Sequence, residues 1–261
     1  MTVYYDQHVH TRHSFDSEET IENYLQQTTK QLVTTEHLDF ENPSEDFKDS
    51  IPNFNRYNDD LQRHEERFER QILRGIEVGY VHDHKNRIED FIDDKPYDVI
   101  LLSTHQNGKI DFMDPVVKEF ELERLIGEYY EQMIRSVEEM PTANILTHFD
   151  YGMRRVDVSV EDYQKLAEHY LKHLFKEMIA KDFALELNAK SFVKYQNDTL
   201  YDYAIPLYVA MGGTRFTLGS DAHVAEDYEL GFKEMSDVLK RNGVTELVTF
   251  KQQIATSVPI I

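Results

Sequence analysis

The chain has no cysteine. Disulfides and thiolate ligands are thereby excluded, and any metal site must be assembled from histidine, aspartate and glutamate, a donor set suited to hard or borderline divalent ions. Positive charge is also scarce: 28 Lys and Arg against 49 Asp and Glu leave a formal net charge of −21. No nucleic-acid partner is expected from such a surface, whereas a small phosphomonoester is compatible with a pocket in which bound cations reverse the sign locally. No apolar stretch approaches the roughly 20 residues that span a bilayer, so no membrane partner is expected. A basic-then-apolar leader is missing too, and the chain reads as cytoplasmic. No internal repeat, low-complexity tract or long linker divides the 261 residues, which predicts one domain covering 1–261.

What is present is an alternation of short strand-like and longer helix-like patterns. Strand-like runs fall at 3–5, 32–35, 72–78, 97–102, 143–146, 183–187 and 215–218. Helical periodicity occupies 20–31, 55–70, 116–139, 159–181, 201–211 and 227–242, with a short helix at 86–92. Strand, helix, strand repeated along a chain implies a parallel sheet, and seven such strands fit a closed or nearly closed α/β barrel. Ser17 and Ser159, each followed by acids, predict helix N-caps. The acidic stretch 41–53, with two prolines, predicts a surface loop.

The ionisable residues fall where those strands end. His8 and His10 follow the first run, Glu36 and His37 the second, His105 the fourth, His148 the fifth, and Asp221 and His223 the seventh, while Glu77 sits near the end of the third in "GIEVGY". In a parallel barrel all C-terminal strand ends share one rim, so these positions converge on one cavity. A single histidine at a strand end is more often hydrogen-bonded or exposed than a ligand. Glu77 is more telling, because a carboxylate in an apolar strand needs a cation or hydrogen bonds to offset its desolvation. His64, His169 and His173 lie on charged helices and read as solvated faces.

In this order and spacing, "HVHTRHS", "TEH", "GIEVGY", "STH", "THFD" and "GSDAH" resemble the PHP (polymerase and histidinol phosphatase) superfamily, specifically its monofunctional histidinol-phosphate phosphatases. The resemblance runs from His8 to His223 and implies a distorted seven-stranded (β/α)7, TIM-like barrel with its metal site at the C-terminal rim. It implies hydrolysis of L-histidinol phosphate to L-histidinol and phosphate with three divalent ions, zinc, manganese or iron, in a mixed population. Carried across, His8, His10, Glu77 and Asp221 hold the first ion. Glu77, His105 and His148 hold the second. His37 and His223, joined by Asp16, hold the third, with His13 as a competitor to Asp16. Glu36 is not expected as a ligand, since strand neighbours face opposite ways.

The ions would lower the pKa of a bridging water, orient the phosphate and stabilise the leaving alkoxide, with Glu77, Asp221 and His223 the residues nearest the reaction. Arg155 and Lys190 are the candidate phosphate-binding residues, Arg154 lying beside Arg155 in "YGMRRVD", and His84, in the second H-x-H of the chain, is a candidate substrate contact. A phosphoesterase for nucleotides or oligonucleotide ends, and a metal-stabilised interaction module without activity, are the rival readings.

Overall fold

Parallel pairing begins with the second strand-like run. In the computed structural model, which describes residues 3–260, α1 (Ile21–Gln27) precedes the long β1 (Leu32–Asn42) and the short β2 (Lys48–Ser50). Then follow α2 (Phe54–Phe68), β3 (Ile72–Gly79), α3 (Lys85–Ile92), β4 (Val99–Ser103), α4 (Leu122–Glu139) and β5 (Ile145–Leu146). The chain continues through α5 (Val160–Ala180), β6 (Ala184–Asn188), α6 (Asp198–Ala210), β7 (Phe216–Gly219), α7 (Phe232–Arg241), β8 (Glu246–Lys251) and β9 (Ile254–Pro259). Among the described residues, β2-β1-β3-β4-β5-β6-β7 form one seven-stranded sheet, parallel except for β2, and β8-β9 form a separate hairpin.

The first expected strand is corrected. Residues 3–5 form no strand, and the chain that follows them joins the sheet through the isolated parallel bridge Val9↔Ala222. The side chains of this segment compete with its own backbone for partners. Asp6 Oδ1 accepts from the amide of Ser220, and Gln7 exchanges bonds with the backbone of β8, donating to the Val248 carbonyl and accepting from the Phe250 amide. The segment nonetheless lies between β7 and β1: the Gln7 amide donates to Leu218, the His10 amide to Ala222, and the Thr35 amide to Val9. His8 and His10 are thereby brought to the same rim as the strand ends.

Helix boundaries follow local chemistry. Ser159 caps α5 as expected, its hydroxyl accepting from the Asp162 amide. Thr20, not Ser17, caps α1. Ser17 instead donates to the His223 carbonyl at 3.0 Å, tying the segment before α1 to the segment after β7. The helix expected over 116–139 is split: a single 3-10 stretch, Pro115–Glu119, ends before α4 begins. The stretch 41–53 is more ordered than a plain loop, since it contains the end of β1 and the edge strand β2.

The core packs apolar strand faces against the helices, with buried Tyr129 and Tyr130 of α4 and Tyr163 of α5 filling the gap between them. At the other end of the strands, Val248 and Phe250 of the hairpin cover Val33, Leu73, Val99, Leu101, Ile145 and Ala184. One end of the sheet is thus sealed by apolar contact and the other is left for polar chemistry. Among the described residues no helix is long and apolar enough to cross a membrane.

Candidate metal centre and active site

Strand register places the central carboxylate. In the parallel pair β1 and β3, His37 lies opposite Glu77 and Asp39 opposite Gly79, so the His37, Glu77 and Asp39 side chains share a face. Glu77 is fully buried. Its Oε1 accepts from the Ser103 hydroxyl at 2.6 Å and lies 2.9 Å from His148 Nε2 and 3.1 Å from His105 Nε2. Its Oε2 lies 3.2 Å from His8 Nε2, 3.3 Å from His10 Nε2 and 3.1 Å from His37 Nδ1. Residues from His8 to His148 meet around one carboxylate, as the motif order predicts.

Asp221 extends the cluster: Oδ1 stands 3.7 Å from His10 Nε2, 3.5 Å from His223 Nδ1 and 3.3 Å from the Lys190 ammonium. Asp16 caps no helix and stands among the inward imidazoles. Its Oδ2 is 2.9 Å from His223 Nε2 and 3.5 Å from His37 Nε2. His13, the competitor, turns away to bond Asp60 at 3.0 Å. Glu36 also faces away, accepting from Thr11 and Ser14, as strand alternation requires.

The inward imidazoles are held from behind. His8 Nδ1 donates to Glu186 at 2.8 Å and His105 Nδ1 to Asp39 at 2.9 Å, so in the neutral rings both Nε2 lone pairs aim at Glu77. Two glycines make this possible. A Cβ on Gly79 would stand 1.9 Å from Asp39 Oδ1, and one on Gly219 would stand 2.4 Å from Glu186 Oε2 and 2.6 Å from the His8 Cβ. Glu186 is absent from the residues that the motifs single out, although the same signal marks it: a carboxylate between Leu185 and Leu187 in an apolar strand, as Glu77 is between Ile76 and Val78. Replacing Glu186 with Gln is expected to weaken divalent-ion affinity about 10- to 100-fold, checked by metal titration of the purified protein.

The donor set fits divalent cations. Glu77 Oε2, His37 Nδ1 and Asp39 Oδ2 are buried atoms with no hydrogen-bond partner, and they face one another, His37 Nδ1 lying 3.1 Å from Glu77 Oε2 and 3.6 Å from Asp39 Oδ2. Lone pairs and carboxylate charge converging in a dry site need a cation between them. Within this cluster, four sets of three donors lie within binding reach of one another: His10, His37 and His223; His8, His10 and Glu77; His8, His148 and Asp221; and His37, Glu77 and His105. Nitrogen and oxygen donors without sulfur suit zinc, manganese and iron alike.

The electrostatics agree. Burial opposes ionisation of Glu77, but the imidazoles of His8, His37 and His105 outweigh it and hold the carboxyl well below the usual range. Asp221 is likewise held low, burial being overcome by Lys190, His8 and Arg154. Burial disfavours a proton on His37, yet Glu77 and Asp16 push it up to about 9. His10 moves the other way, lowered by burial and by His37 and His223.

A cavity of about 350 Å³ opens onto this cluster, its walls including Asp111, Tyr151, Arg154, Arg155 and Lys190. Arg154 is buried and clamped: Nε donates to Ser191 at 2.8 Å, Nη2 to Asn188 at 2.9 Å and to Asp221 at 3.3 Å, and the guanidinium stacks near Tyr151 and Tyr195. Arg155 lines the same cavity but is exposed, with Nε donating to the Met113 carbonyl. His84 is not brought to the cavity; its ring packs beside Phe40 with Nε2 3.8 Å from Glu41.

A family model described as the PHP domain matches residues 6–190. The chain belongs to the PHP family. The match takes in His8 through His148 and Lys190 and ends before Asp221 and His223, which the structure brings to the same cluster. Among PHP relatives, a histidinol-phosphatase of Lactococcus lactis subsp. lactis (strain IL1403) is 28% identical over 257 residues, 94% of this chain and 93% of that protein. A probable histidinol-phosphatase of Thermotoga maritima is 23% identical over 257 residues, 96% of this chain and 97% of its own length. In three dimensions the chain is similar to the crystal structure of histidinol phosphate phosphatase from Lactococcus lactis subsp. lactis Il1403 complexed with zinc, L-histidinol and phosphate. That similarity has a TM-score of 0.86 at 25% identity and covers 96% of this chain and 98% of the other.

Proposed function

We propose that residues 1–261 form one metallophosphoesterase domain that hydrolyses L-histidinol phosphate to L-histidinol and phosphate in the cytoplasm. The observation that carries the reading is the meeting of His8, His10, His37, His105 and His148 on the single buried carboxylate of Glu77, at the floor of a cavity walled by Arg154 and Lys190. The relatives named for this activity support it, as does the structural neighbour with zinc, histidinol and phosphate bound. We read residues 6–10, bonded to both β7 and β1, as the element that closes the sheet into a distorted barrel.

His8, His10, Glu77 and Asp221 would hold one ion, Glu77, His105 and His148 a second, and Asp16, His37 and His223 a third. When bound, divalent ions supply Lewis acidity toward phosphate oxygens and make water a competent nucleophile near neutral pH. The chain's own residues do the rest. Arg154, immobilised by Ser191, Asn188 and Asp221, presents Nη1, which bonds no described residue, to a phosphate oxygen. Lys190 adds a second positive charge, and Arg155 stands at the mouth. Asp221, kept ionised although buried because Lys190, His8 and Arg154 stand around it, would orient the attacking water beside the ion it holds. His223, the most open of the inward imidazoles, lines the cavity with Nε2 2.9 Å from Asp16, and the proton released by the attacking water is returned to the leaving alkoxide.

The test is a substrate panel on protein loaded with zinc or manganese: L-histidinol phosphate, a nucleoside monophosphate and a dinucleotide. Histidinol phosphate is expected to be turned over with a kcat/KM about 100-fold or more above the others, consistent with a site built for one small substrate. Comparable rates on all three would replace the reading with a general phosphoesterase.

A further inference from the structure

Glu36 is nearly as buried as Glu77 but lies outside the donor cluster, and among the described residues it forms no ion pair. Its partners all belong to the segment between His10 and Asp16. Oε1 accepts from the Thr11 hydroxyl at 2.8 Å, and Oε2 accepts from the Thr11 amide at 3.2 Å and from the Ser14 hydroxyl at 2.7 Å. Burying a carboxylate on neutral donors alone is unfavourable. The Ser14 hydroxyl shows what the arrangement accomplishes.

Ser14 Oγ has one proton to give and three neighbours. The His37 amide, 3.1 Å away, can only donate to it. Glu36 Oε2, already an acceptor of the Thr11 amide, lies at 2.7 Å, and His10 Nδ1 at 3.3 Å. The shorter bond, to the carboxylate, takes the proton. Toward His10 the hydroxyl can then only accept, which holds the ring proton on Nδ1 and leaves the Nε2 lone pair facing the cluster, 3.3 Å from Glu77 Oε2 and 3.7 Å from Asp221 Oδ1. His8 gives an independent check. Its Nε2 lies 3.1 Å from His10 Nε2, a contact in which one of the two nitrogens must be bare. The same hydroxyl ties down the His37 backbone, and the His10 and His37 rings stack with centroids 4.2 Å apart.

We propose that Glu36 is a positioning residue of the metal centre: through the Ser14 hydroxyl it fixes the tautomer of His10 and seats His37 beside it, so that the His10 Nε2 lone pair is ready for an ion before one arrives. This rests on the metal-centre reading above and extends it from the imidazoles held directly by Glu186 and Asp39 to one held through a relay.

The experiment has two readouts besides turnover. Histidine-labelled, metal-free protein reports by nitrogen NMR which ring nitrogen of His10 bears the proton, its signals being assigned by their loss in His10→Asn, and calorimetric titration with zinc or manganese reports affinity. Wild type is expected to carry the proton on Nδ1. In Glu36→Leu the Ser14 proton loses its acceptor and turns to His10 Nδ1, so the ring proton is expected on Nε2; in Ser14→Ala a mixture of the two tautomers is expected. Both variants are expected to bind divalent ions about 10- to 100-fold more weakly. Thr11→Val removes another Glu36 bond of similar length but leaves the route through Ser14 intact, and it is expected to keep wild-type affinity within about threefold. If Glu36→Leu does not fold, Ser14→Ala is read alone, and wild-type affinity in it overturns the proposal. A wild-type His10 protonated on Nε2, an unchanged tautomer in Glu36→Leu, or a loss in Thr11→Val equal to that in Glu36→Leu also overturns it and leaves the metal centre standing. A wild type that binds no divalent ion overturns both.

Discussion

Glu77→Gln is expected to cost at least about a thousandfold in kcat/KM and to remove more than one bound ion per chain, because one carboxylate serves the whole cluster. Glutamine has nearly the volume of glutamate, so the packing around β3 survives and circular dichroism should be unchanged. What disappears is the charge. Five imidazoles lie within 3.3 Å of the Glu77 oxygens, and an amide would place its NH2 against lone pairs that now face a carboxylate. The measurement is steady-state turnover beside metal content by atomic absorption. Near-normal activity with a full complement of ions would contradict the bridging role of Glu77.

Chelation is expected to have an effect of similar size on activity and a further one on stability. His8, His37 and His105 already carry raised proton affinity from the acids around them, chiefly Glu186, Glu77 and Asp39, which shows how strongly the pocket draws positive charge. An ion that binds only the folded chain stabilises it by mass action, and at a hundredfold excess over its dissociation constant its removal should lower Tm by about 5–10 °C. Activity is expected to return on adding zinc, manganese or iron, since the all-nitrogen-and-oxygen donor set distinguishes poorly among them. Turnover that persists after metal content has fallen below the protein concentration would refute metal dependence.

The cluster is legible in the sequence because its members are marked by chemistry that local structure cannot hide. Histidines two apart after an apolar run, a glutamate between Ile76 and Val78, and "GSDAH" near the last parallel strand are unusual wherever the backbone goes. The parallel sheet is legible for a similar reason, since its buried strands are short apolar runs separated by amphipathic helices. Glu186 carries the same mark as Glu77, yet it belongs to none of the motifs, and only its bond to His8 reveals what it does. The first strand fails differently: 3–5 has strand composition, but Asp6 and Gln7 spend their side chains on distant backbone at Ser220, Val248 and Phe250. Nothing local announces those partners.

By itself, then, the sequence determined the donor types, the strand-to-donor rhythm and the sign of the field, because these depend only on residue identity and short-range periodicity. Tertiary structure alone decided which neighbour of a pair turns toward the cluster. Arg154 is clamped inside while Arg155 reaches the surface, Asp16 meets His223 while His13 leaves for Asp60, and His84 turns to Glu41. Such choices hang on a rotation of the backbone by one residue, and that rotation is set by packing against elements far away in the chain, as when Gly79 clears the space through which Asp39 reaches His105.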